Sequence, residues 1–141
     1  MASVASGPIA LLPIKPGYAT SIMNGQKKVE FRKVRFSQRV GYVVVYASKP
    51  FQTIIGYFQI DHVDEDSPDA LWIRYGPVGC IKEEDFKSYY GASRKGVAIG
   101  IGEVFRLRRP VPLSDLGPGL SPPQGFRYLS RKTFDRLRRL T

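Results

Sequence analysis

The fold is decided by residues 25–32, which read Gly25-Gln26-Lys27-Lys28-Val29-Glu30-Phe31-Arg32. Ahead of them, four apolar side chains recur at the spacing of a two-turn helix: Tyr18, Ala19, Ile22 and Met23. Gly25 occupies the position that favours glycine just after a helix. From Lys27 onward the period changes to two, which places Val29 and Phe31 on one strand face and Glu30 and Arg32 on the other. We therefore predict a short helix, then a strand that projects Glu30 and Arg32 together.

The rest of the chain is rich in strand signals. Apolar and β-branched runs predict strands at residues 9–14, 42–47, 53–63 and 96–107, with Gly56 as a bulge and with Pro110 and Pro112 ending the last strand. Helical patterns cover residues 82–90 and a short C-terminal stretch capped by Ser130. Residues 64–69 read as an acidic loop leading into a helix at Ser67-Pro68. Because strands and helices do not alternate regularly, these signals predict the α+β class, as a small mixed β-barrel with short flanking helices.

Length and charge narrow the function classes. The chain has 141 residues, which fits a single domain, and 43% of them are hydrophobic, enough to build a core. With 22 Lys and Arg against 12 Asp and Glu, the formal net charge is +10. Such an excess favours a polyanionic partner, nucleic acid before membrane.

Cysteine and histidine are scarce. Cys80 is the single cysteine of the sequence, which excludes an intramolecular disulfide and a cysteine-based zinc site. His62 is the single histidine, and we interpret it as a loop residue within the acidic run. We therefore expect no metal and no cofactor. The sequence shows neither a signal peptide nor an apolar stretch of 18 residues, so we expect a cytoplasmic protein with no membrane partner. The oligomeric state stays open, with a monomer favoured.

Residues 25–32 resemble the G-x-K-x-x-E-x-R signature of the ASCH domain family, a branch of the PUA-like β-barrels. Further similar segments follow the family's order: Ile14-Lys15-Pro16-Gly17-Tyr18-Ala19, Val45-Tyr46-Ala47-Ser48-Lys49-Pro50, Ile55-Gly56-Tyr57-Phe58, Tyr89-Tyr90-Gly91 and Pro122-Pro123-Gln124-Gly125-Phe126. The resemblance covers about residues 11–128. It implies a PUA-like domain at 9–128. Outside that domain, the small residues at the start of the chain predict a flexible N-terminus at 1–8, and the pattern after Ser130 predicts a basic C-terminal helix at 129–141 packed on the domain.

The resemblance also implies a cleft beside the first helix that binds RNA, other single-stranded nucleic acid or a modified nucleotide. The residues expected to contact such a ligand are Lys15, Tyr18, Lys27, Glu30, Arg32, Ser48, Lys49 and Tyr90. Lysines offer point charges to phosphate, arginine offers a planar fork, and glutamate accepts hydrogen bonds from exocyclic amines. A tyrosine among Tyr18, Tyr46 and Tyr90 would stack on a base.

Plainer interpretations stand beside these. Lys27, Glu30 and Arg32 are also compatible with a solvated strand face, Tyr46 with the core, and Ser48 with a turn. On the C-terminal helix, four cations are expected either to face solvent or to make auxiliary phosphate contacts: Arg131, Lys132, Arg136 and Arg139.

Two function classes remain open, with a basic protein-interaction domain as a third. The first is an RNA-binding module. The second is a metal-independent hydrolase of the same fold, in which Lys27 and Glu30 are catalytic. Family relatives that act as amidohydrolases on acylated cytidine carry a nucleophilic threonine where Glu30 stands, so that mechanism does not transfer to this chain. A ribonuclease would use Glu30 as base and Lys27, Arg32 or Lys15 as the cation that stabilises the pentavalent phosphate.

Overall fold

The computed structural model describes residues 7–117 and 119–141, and this part of the chain forms one six-stranded sheet with four α-helices. Residues 1–6 of the expected flexible N-terminus and Pro118 of the expected surface connection lie outside the described residues. The strands are β1 Ile9–Ile14, β2 Val29–Arg32, β3 Tyr42–Ala47, β4 Thr53–Asp66, β5 Gly96–Pro112 and β6 Arg127–Leu129. The helices are α1 Pro16–Met23, α2 Pro68–Tyr75, α3 Glu83–Tyr90 and α4 Arg131–Arg138, with 3₁₀ turns at Gly76–Val78 and Leu113–Leu116. The predicted α+β class is confirmed.

The strand order is β2-β5-β4-β3-β1-β6, with β1 and β3 parallel and the other neighbouring pairs antiparallel. In the described residues β2 and β6 do not pair, so the sheet is barrel-like without being closed. The long strands β4 and β5 pair with register shifts, one of them between Ile54 and Gly56, where the bulge was predicted. Such shifts let a long pair of strands bend around a core.

Both faces of the central strands are buried. Along β3, Val43, Val45 and Ala47 pack in a cluster with α1, whereas Tyr42, Val44 and Tyr46 pack in a second cluster with α4. This double burial explains why the strand reads as a continuous apolar run. The α4 residues Phe134 and Leu137 are fully buried on the second face. The helices α1 and α4 therefore cover opposite faces of the same strands.

The predicted helix starts are present. The Ser67 side chain accepts a hydrogen bond from Ala70 N at 3.2 Å at the start of α2, and the Ser130 side chain accepts one from Thr133 N at 3.1 Å at the start of α4. Each cap satisfies one of the backbone N–H groups that a helix start leaves without a partner. Helix α3 carries three acidic residues in its first turn, and their negative charges interact favourably with the positive end of the helix dipole.

Two expectations about strand ends were wrong. Residues 64–66 continue β4 instead of forming a loop, and His62 lies on that strand, with Nδ1 2.8 Å from Asp61 Oδ2 and Nε2 3.2 Å from the Tyr75 hydroxyl. Asp64 accepts a hydrogen bond from that hydroxyl at 2.8 Å, and this bond, together with Arg74, lowers the pKa of Asp64. Partners on α2 thus stabilise an acidic strand end that propensity alone disfavours.

Strand β5 also runs past Pro110 to Pro112. Its pairing with β4 passes from Arg106 directly to Val111, so the segment that contains Pro110 has no ladder partner there. The missing N–H of proline therefore breaks no hydrogen bond between the strands.

Gly56→Ala tests the bulge. A Cβ at residue 56 would lie 2.5 Å from the Phe105 carbonyl oxygen, whereas a Cβ at Gly17 meets nothing within 4 Å. We expect Gly56→Ala to lower the free energy of unfolding by about 1–3 kcal/mol because the core is overpacked. Gly17→Ala, the control, should not lower it. Urea denaturation measures both, and equal stability of the two variants would contradict this account of the bulge.

Candidate nucleotide-binding cavity

A cavity of about 440 Å³ opens between α1, β2, α3 and the end of β3. This volume lies in the range of about 300–1,000 Å³ that is usual for small-molecule sites. Its walls combine charged, hydroxyl and aromatic side chains, together with Pro13 and Ile81: Lys15, Tyr18, Lys27, Glu30, Phe31, Arg32, Ser48, Asp85, Ser88 and Tyr89. Six of the eight residues expected to contact a ligand therefore line one cavity.

Strand β2 places Glu30 and Arg32 at the cavity floor, as the two-residue spacing predicts. Arg32 Nε donates to Glu30 Oε2 at 3.0 Å, and Arg32 Nη2 donates to the Pro13 carbonyl at 2.6 Å. The second bond ties the guanidinium to the end of β1. The side chains of Glu30 and Arg32 are 8% and 20% exposed, so this is a largely desolvated ion pair.

Lys27 is the buried cation of the site, with 2% of its surface exposed. Its ammonium donates to the Gly79 carbonyl, lies 3.8 Å from Glu30 Oε1, and sits 4.9 Å from the centre of the Tyr18 ring. Burial lowers the pKa of Lys27, and the charge of Glu30 opposes that shift. The solvated-surface interpretation of Lys27 and Glu30 is therefore wrong.

The backbone around Lys27 explains how the ammonium reaches the floor. Gly25 adopts a φ of +83° after α1, a conformation that glycine accepts readily, and Lys27 N then donates to the Ser21 carbonyl at 3.0 Å. Lys28 N donates to Val78 O at 2.9 Å, which fixes the 3₁₀ turn that presents Gly79. At Gly79 itself a Cβ would lie 2.7 Å from the Phe31 ring. The carbonyl that holds Lys27 thus comes from a position with no room for a side chain.

One oxygen at the floor is left for a ligand. Glu30 Oε2 is paired with Arg32, but among the described residues no group donates to Oε1 within hydrogen-bond distance. In the same part of the chain, every fully buried side-chain oxygen has a hydrogen-bond partner. Oε1 therefore reaches the cavity, where it is an acceptor beside the Lys27 ammonium.

Helix α3 supplies one wall that the sequence analysis missed. Asp85, Ser88 and Tyr89 line the cavity, while Phe86 and Tyr90 turn into the core. The spacing of Asp85, Ser88 and Tyr89, at i, i+3 and i+4, is a signal for a shared helix face that could have identified them.

The expectation that Tyr90 contacts the ligand is corrected by its position. Tyr90 is 2% exposed, does not line the cavity, and donates its hydroxyl to the Arg32 carbonyl at 2.8 Å. Burial raises its pKa. Its ring packs against Phe86, so no face is open for stacking. The neighbouring Tyr89 is 39% exposed and takes the place expected for Tyr90.

The positions of the residues that follow β1 and β3 are partly as expected. Ser48 lines the cavity and is tied to the end of β1, since its N and Oγ donate to the Ile14 carbonyl at 3.0 and 3.3 Å. Lys15 also lines the cavity and is exposed. Lys49 is exposed but is not part of the lining. Among the described residues neither lysine forms an ion pair.

The four cations of the C-terminal helix lie away from the cavity, on the α4 side of the sheet. Arg131 pairs with Asp135 at 3.8 Å, and Arg136 donates to the carbonyls of Leu116 and Asp115 at 3.4 and 3.3 Å. Lys132 and Arg139 are exposed. Any phosphate contact they make is therefore separate from the cavity.

The part of the chain that the structure describes contains no cluster of three or more His, Cys, Asp or Glu side chains that could hold a metal ion. Cys80 is exposed and free. Among the same residues, no helix combines the length and the apolar character needed to cross a membrane.

Comparisons with known proteins identify relatives. The family model of the ASCH domain matches residues 12–101. The chain is 25% identical over 136 residues to the ASCH domain-containing ribonuclease of Zymomonas mobilis, covering 94% of this chain and 91% of that protein. It is also 27% identical over 104 residues to the large ribosomal subunit protein uL22 of Ureaplasma parvum, covering 74% of this chain but 33% of that protein.

Solved structures share the fold. The crystal structure of ASCH from Zymomonas mobilis superposes with a TM-score of 0.87 at 24% identity, covering 94% of both chains. The N-terminal domain of Staphylothermus marinus McrB superposes with a TM-score of 0.61 at 12% identity, covering 93% of both. At these identities, the likeness concerns the fold alone.

The buried Lys27 ammonium predicts a pH dependence of stability. Its folded pKa is lowered, so between that value and about 10.5 the unfolded chain binds more protons than the folded one. The contribution of Lys27 to stability therefore rises as the pH increases. We expect the difference in the free energy of unfolding, wild type minus Lys27→Met, to increase between pH 8 and pH 10. Lys28→Met, which removes an exposed neighbour, should show the same pH dependence of stability as the wild type. An equal increase of the wild-type stability relative to both variants would refute the assignment.

Proposed function

The chain belongs to the ASCH domain family, and from this membership and the contents of the cavity we propose that it binds single-stranded RNA, one nucleotide of which enters the cavity. Single-stranded RNA is recognised through unstacked bases that stack on aromatic side chains and form hydrogen bonds along their edges. The cavity offers both kinds of contact, together with cations at its floor and rim.

The observation that carries the proposal is the donor beside the acceptor at the cavity floor. Glu30 Oε1 is free to accept a hydrogen bond, and the Lys27 ammonium lies 3.8 Å from it. Cytosine and adenine present an exocyclic amine next to an unprotonated ring nitrogen, which is the complementary pair. Uracil presents a carbonyl oxygen where the amine would be, and that oxygen repels the Glu30 carboxylate. We infer a preference for cytosine or adenine.

The walls are suited to a base between aromatic rings. Tyr18, Phe31 and Tyr89 all line the cavity. Burial, with the carboxylates of Asp85 and Glu30, raises the pKa of Tyr18, so its hydroxyl is a donor at neutral pH. Base–aromatic stacking is worth about 1–3 kcal/mol per base.

The phosphate of the bound nucleotide is assigned to the rim. Lys15 is exposed, lines the cavity and has no ion pair among the described residues, whereas Lys27 and Arg32 are already held by Glu30. Lys132 on α4 and Arg139, which directly follows α4, add a general attraction for the RNA backbone, and this attraction carries no sequence information.

Glu30→Gln tests base recognition. We expect the wild type to bind 2′-O-methyl oligonucleotides of cytosine or adenine at least about fivefold more tightly than those of uracil, because one base-edge pair is worth about 1–3 kcal/mol. A glutamine amide can donate as well as accept, so Glu30→Gln should remove this preference. Fluorescence anisotropy with labelled oligonucleotides measures it.

Two controls bracket that result. Lys28→Met removes an exposed charge outside the cavity and should leave the preference intact, while Arg139→Ala should weaken binding to all sequences about equally. Wild-type affinity should also fall linearly with the logarithm of salt concentration, since phosphate contacts release counterions. Lack of binding at low salt, or an unchanged preference in Glu30→Gln, would reject the proposal.

A second function, metal-independent RNA cleavage, is favoured by the relative named as a ribonuclease. In this scheme Glu30 takes the proton of the ribose 2′-hydroxyl, and the 2′-oxygen attacks the adjacent phosphorus. The bond from phosphorus to the 5′-oxygen breaks, and Lys27, whose pKa is lowered, gives its proton to that oxygen. The products are a 2′,3′-cyclic phosphate and a free 5′-hydroxyl. In this scheme the scissile phosphate lies at the cavity floor, unlike the rim phosphate of the binding proposal, and Arg32 would stabilise the charge on its pentavalent form.

Incubation of end-labelled RNA with the protein in excess chelator tests this scheme. We expect fragments that end in 2′,3′-cyclic phosphate, and we expect Glu30→Gln and Lys27→Met each to slow cleavage by about 100-fold or more, because each removes an acid–base group. Lys28→Met should cleave at the wild-type rate. Intact RNA, or cleavage that survives both cavity variants, would exclude the scheme while leaving RNA binding untouched.

A further inference from the structure

The turn at residues 48–52, which joins β3 to β4, begins at the cavity. Its first residue, Ser48, lines the cavity and is anchored to the Ile14 carbonyl of β1. Phe51 N donates to the Ser48 carbonyl at 3.2 Å, which closes the turn. The position of Phe51 is thus fixed within one turn of a cavity-lining residue.

Phe51 is an unusually open aromatic residue. It is 63% exposed, against 39% for Tyr89. Among the described residues its ring contacts no other ring and no cation, whereas the Tyr89 ring has the Lys33 ammonium 5.0 Å from its centre. A single exposed apolar side chain is ordinary in itself. What distinguishes Phe51 from the exposed Ile73 on α2 is that its turn also contains Ser48, which lines the cavity, and the exposed Lys49.

Two lysines, Lys15 and Lys49, follow the ends of β1 and β3. Strands β1 and β3 are parallel, with Ile14 opposite Ala47 at their ends. Lys15 and Ser48 therefore follow at the same end of the two strands, and Lys49 comes directly after Ser48. Both lysines are exposed, and neither has an ion pair in the described part of the chain. The turn that carries the exposed Phe51 ring thus also carries Lys49, and it begins at the end of β3, opposite the end of β1 that Lys15 follows. An aromatic ring combined with lysines is what single-strand binding proteins use for a base and its phosphate.

We propose that the turn at residues 48–52 is a second-nucleotide subsite. The base adjacent to the one in the cavity stacks on Phe51, and Lys15 and Lys49 bind the phosphodiester between the two nucleotides. This assignment rests on the proposed RNA-binding function and extends it from one nucleotide to two. Stacking is tolerant of base identity, so the subsite adds affinity without adding sequence preference.

Comparing the binding of a mononucleotide with that of a dinucleotide separates the subsite proposal from the proposed RNA-binding function. The probes are cytidine monophosphate and the 2′-O-methyl dinucleotide CpC, measured by calorimetry with the full chain. We expect the wild type to bind the dinucleotide at least about fivefold more tightly. Phe51→Ala should abolish this advantage and leave the mononucleotide affinity unchanged, and Phe51→Trp should restore it.

Further variants separate stacking from charge. Lys49→Ala should lower the slope of dinucleotide affinity against the logarithm of salt by about 0.7, the value for one phosphate contact of a single strand. Ile73→Ala, which removes an even more exposed apolar side chain, should change neither affinity. Because Phe51 is exposed, its variants should melt at the wild-type temperature.

The outcomes are distinct. If the mononucleotide binds and Phe51→Ala leaves the dinucleotide advantage intact, or weakens both ligands equally, the subsite is overturned while the cavity remains the nucleotide site. If the wild type binds neither probe at low salt, the proposed function and the subsite fall together. If Phe51→Ala loses the tighter binding of the dinucleotide and keeps its affinity for the mononucleotide, the subsite is supported.

Discussion

The site depends on the burial of one ammonium group. Lys27 is 2% exposed, and removing a cation from water costs several kcal/mol unless partners compensate. Here three groups do so: the Gly79 carbonyl, the Glu30 carboxylate and the face of the Tyr18 ring. They come from the 3₁₀ turn after α2, from β2 and from α1. The same contacts that hold the Lys27 side chain therefore fix three elements of the fold around the cavity.

Stability alone does not account for this arrangement. Apolar side chains of similar volume often stabilise a protein as well as a buried ion pair does, and they carry no desolvation penalty. The sheet already has two apolar clusters on its faces, and a third holds α2 and α3 against β2 and β5. Charged side chains lie where the cavity meets the core, and among the described residues no group donates to Glu30 Oε1. Such an arrangement is suited to a polar ligand.

The local sequence pattern predicted most of the strands and helices and part of the candidate site. The bounds of β1 and β3 follow from apolar runs buried on both faces, and the period of two in β2 predicted that Glu30 and Arg32 would meet. The acidic end of β4 was misjudged because its partners, Arg74 and Tyr75, belong to another element. Gly79 escaped notice because it acts through a backbone carbonyl, which leaves no side-chain signal in a sequence.

The choice between Tyr89 and Tyr90 shows the remaining limit. Both lie in α3, and either could face a ligand by residue type alone. The packing of Phe86 edge-on against Phe31 of β2 sets the rotation of the helix, which buries Tyr90 and opens Tyr89. Since this contact joins segments more than fifty residues apart, no window of sequence contains it. The face of α3 that meets the cavity is a property of the tertiary fold.

Floor and rim then have different physical tasks. Lys27 and Glu30 at the floor are buried, Arg32 is largely buried, and both cations pair with Glu30, so these side chains would lose little conformational freedom when a ligand binds. Under the proposed function, their fixed geometry discriminates between base edges. Lys15 and Lys49 are exposed, so their attraction for phosphate would be screened by salt and insensitive to sequence. An RNA strand bound in this way would be selected by its base at the floor and held by its phosphates at the rim. Substitutions at the floor would therefore change the sequence preference, whereas salt would weaken the phosphate contacts.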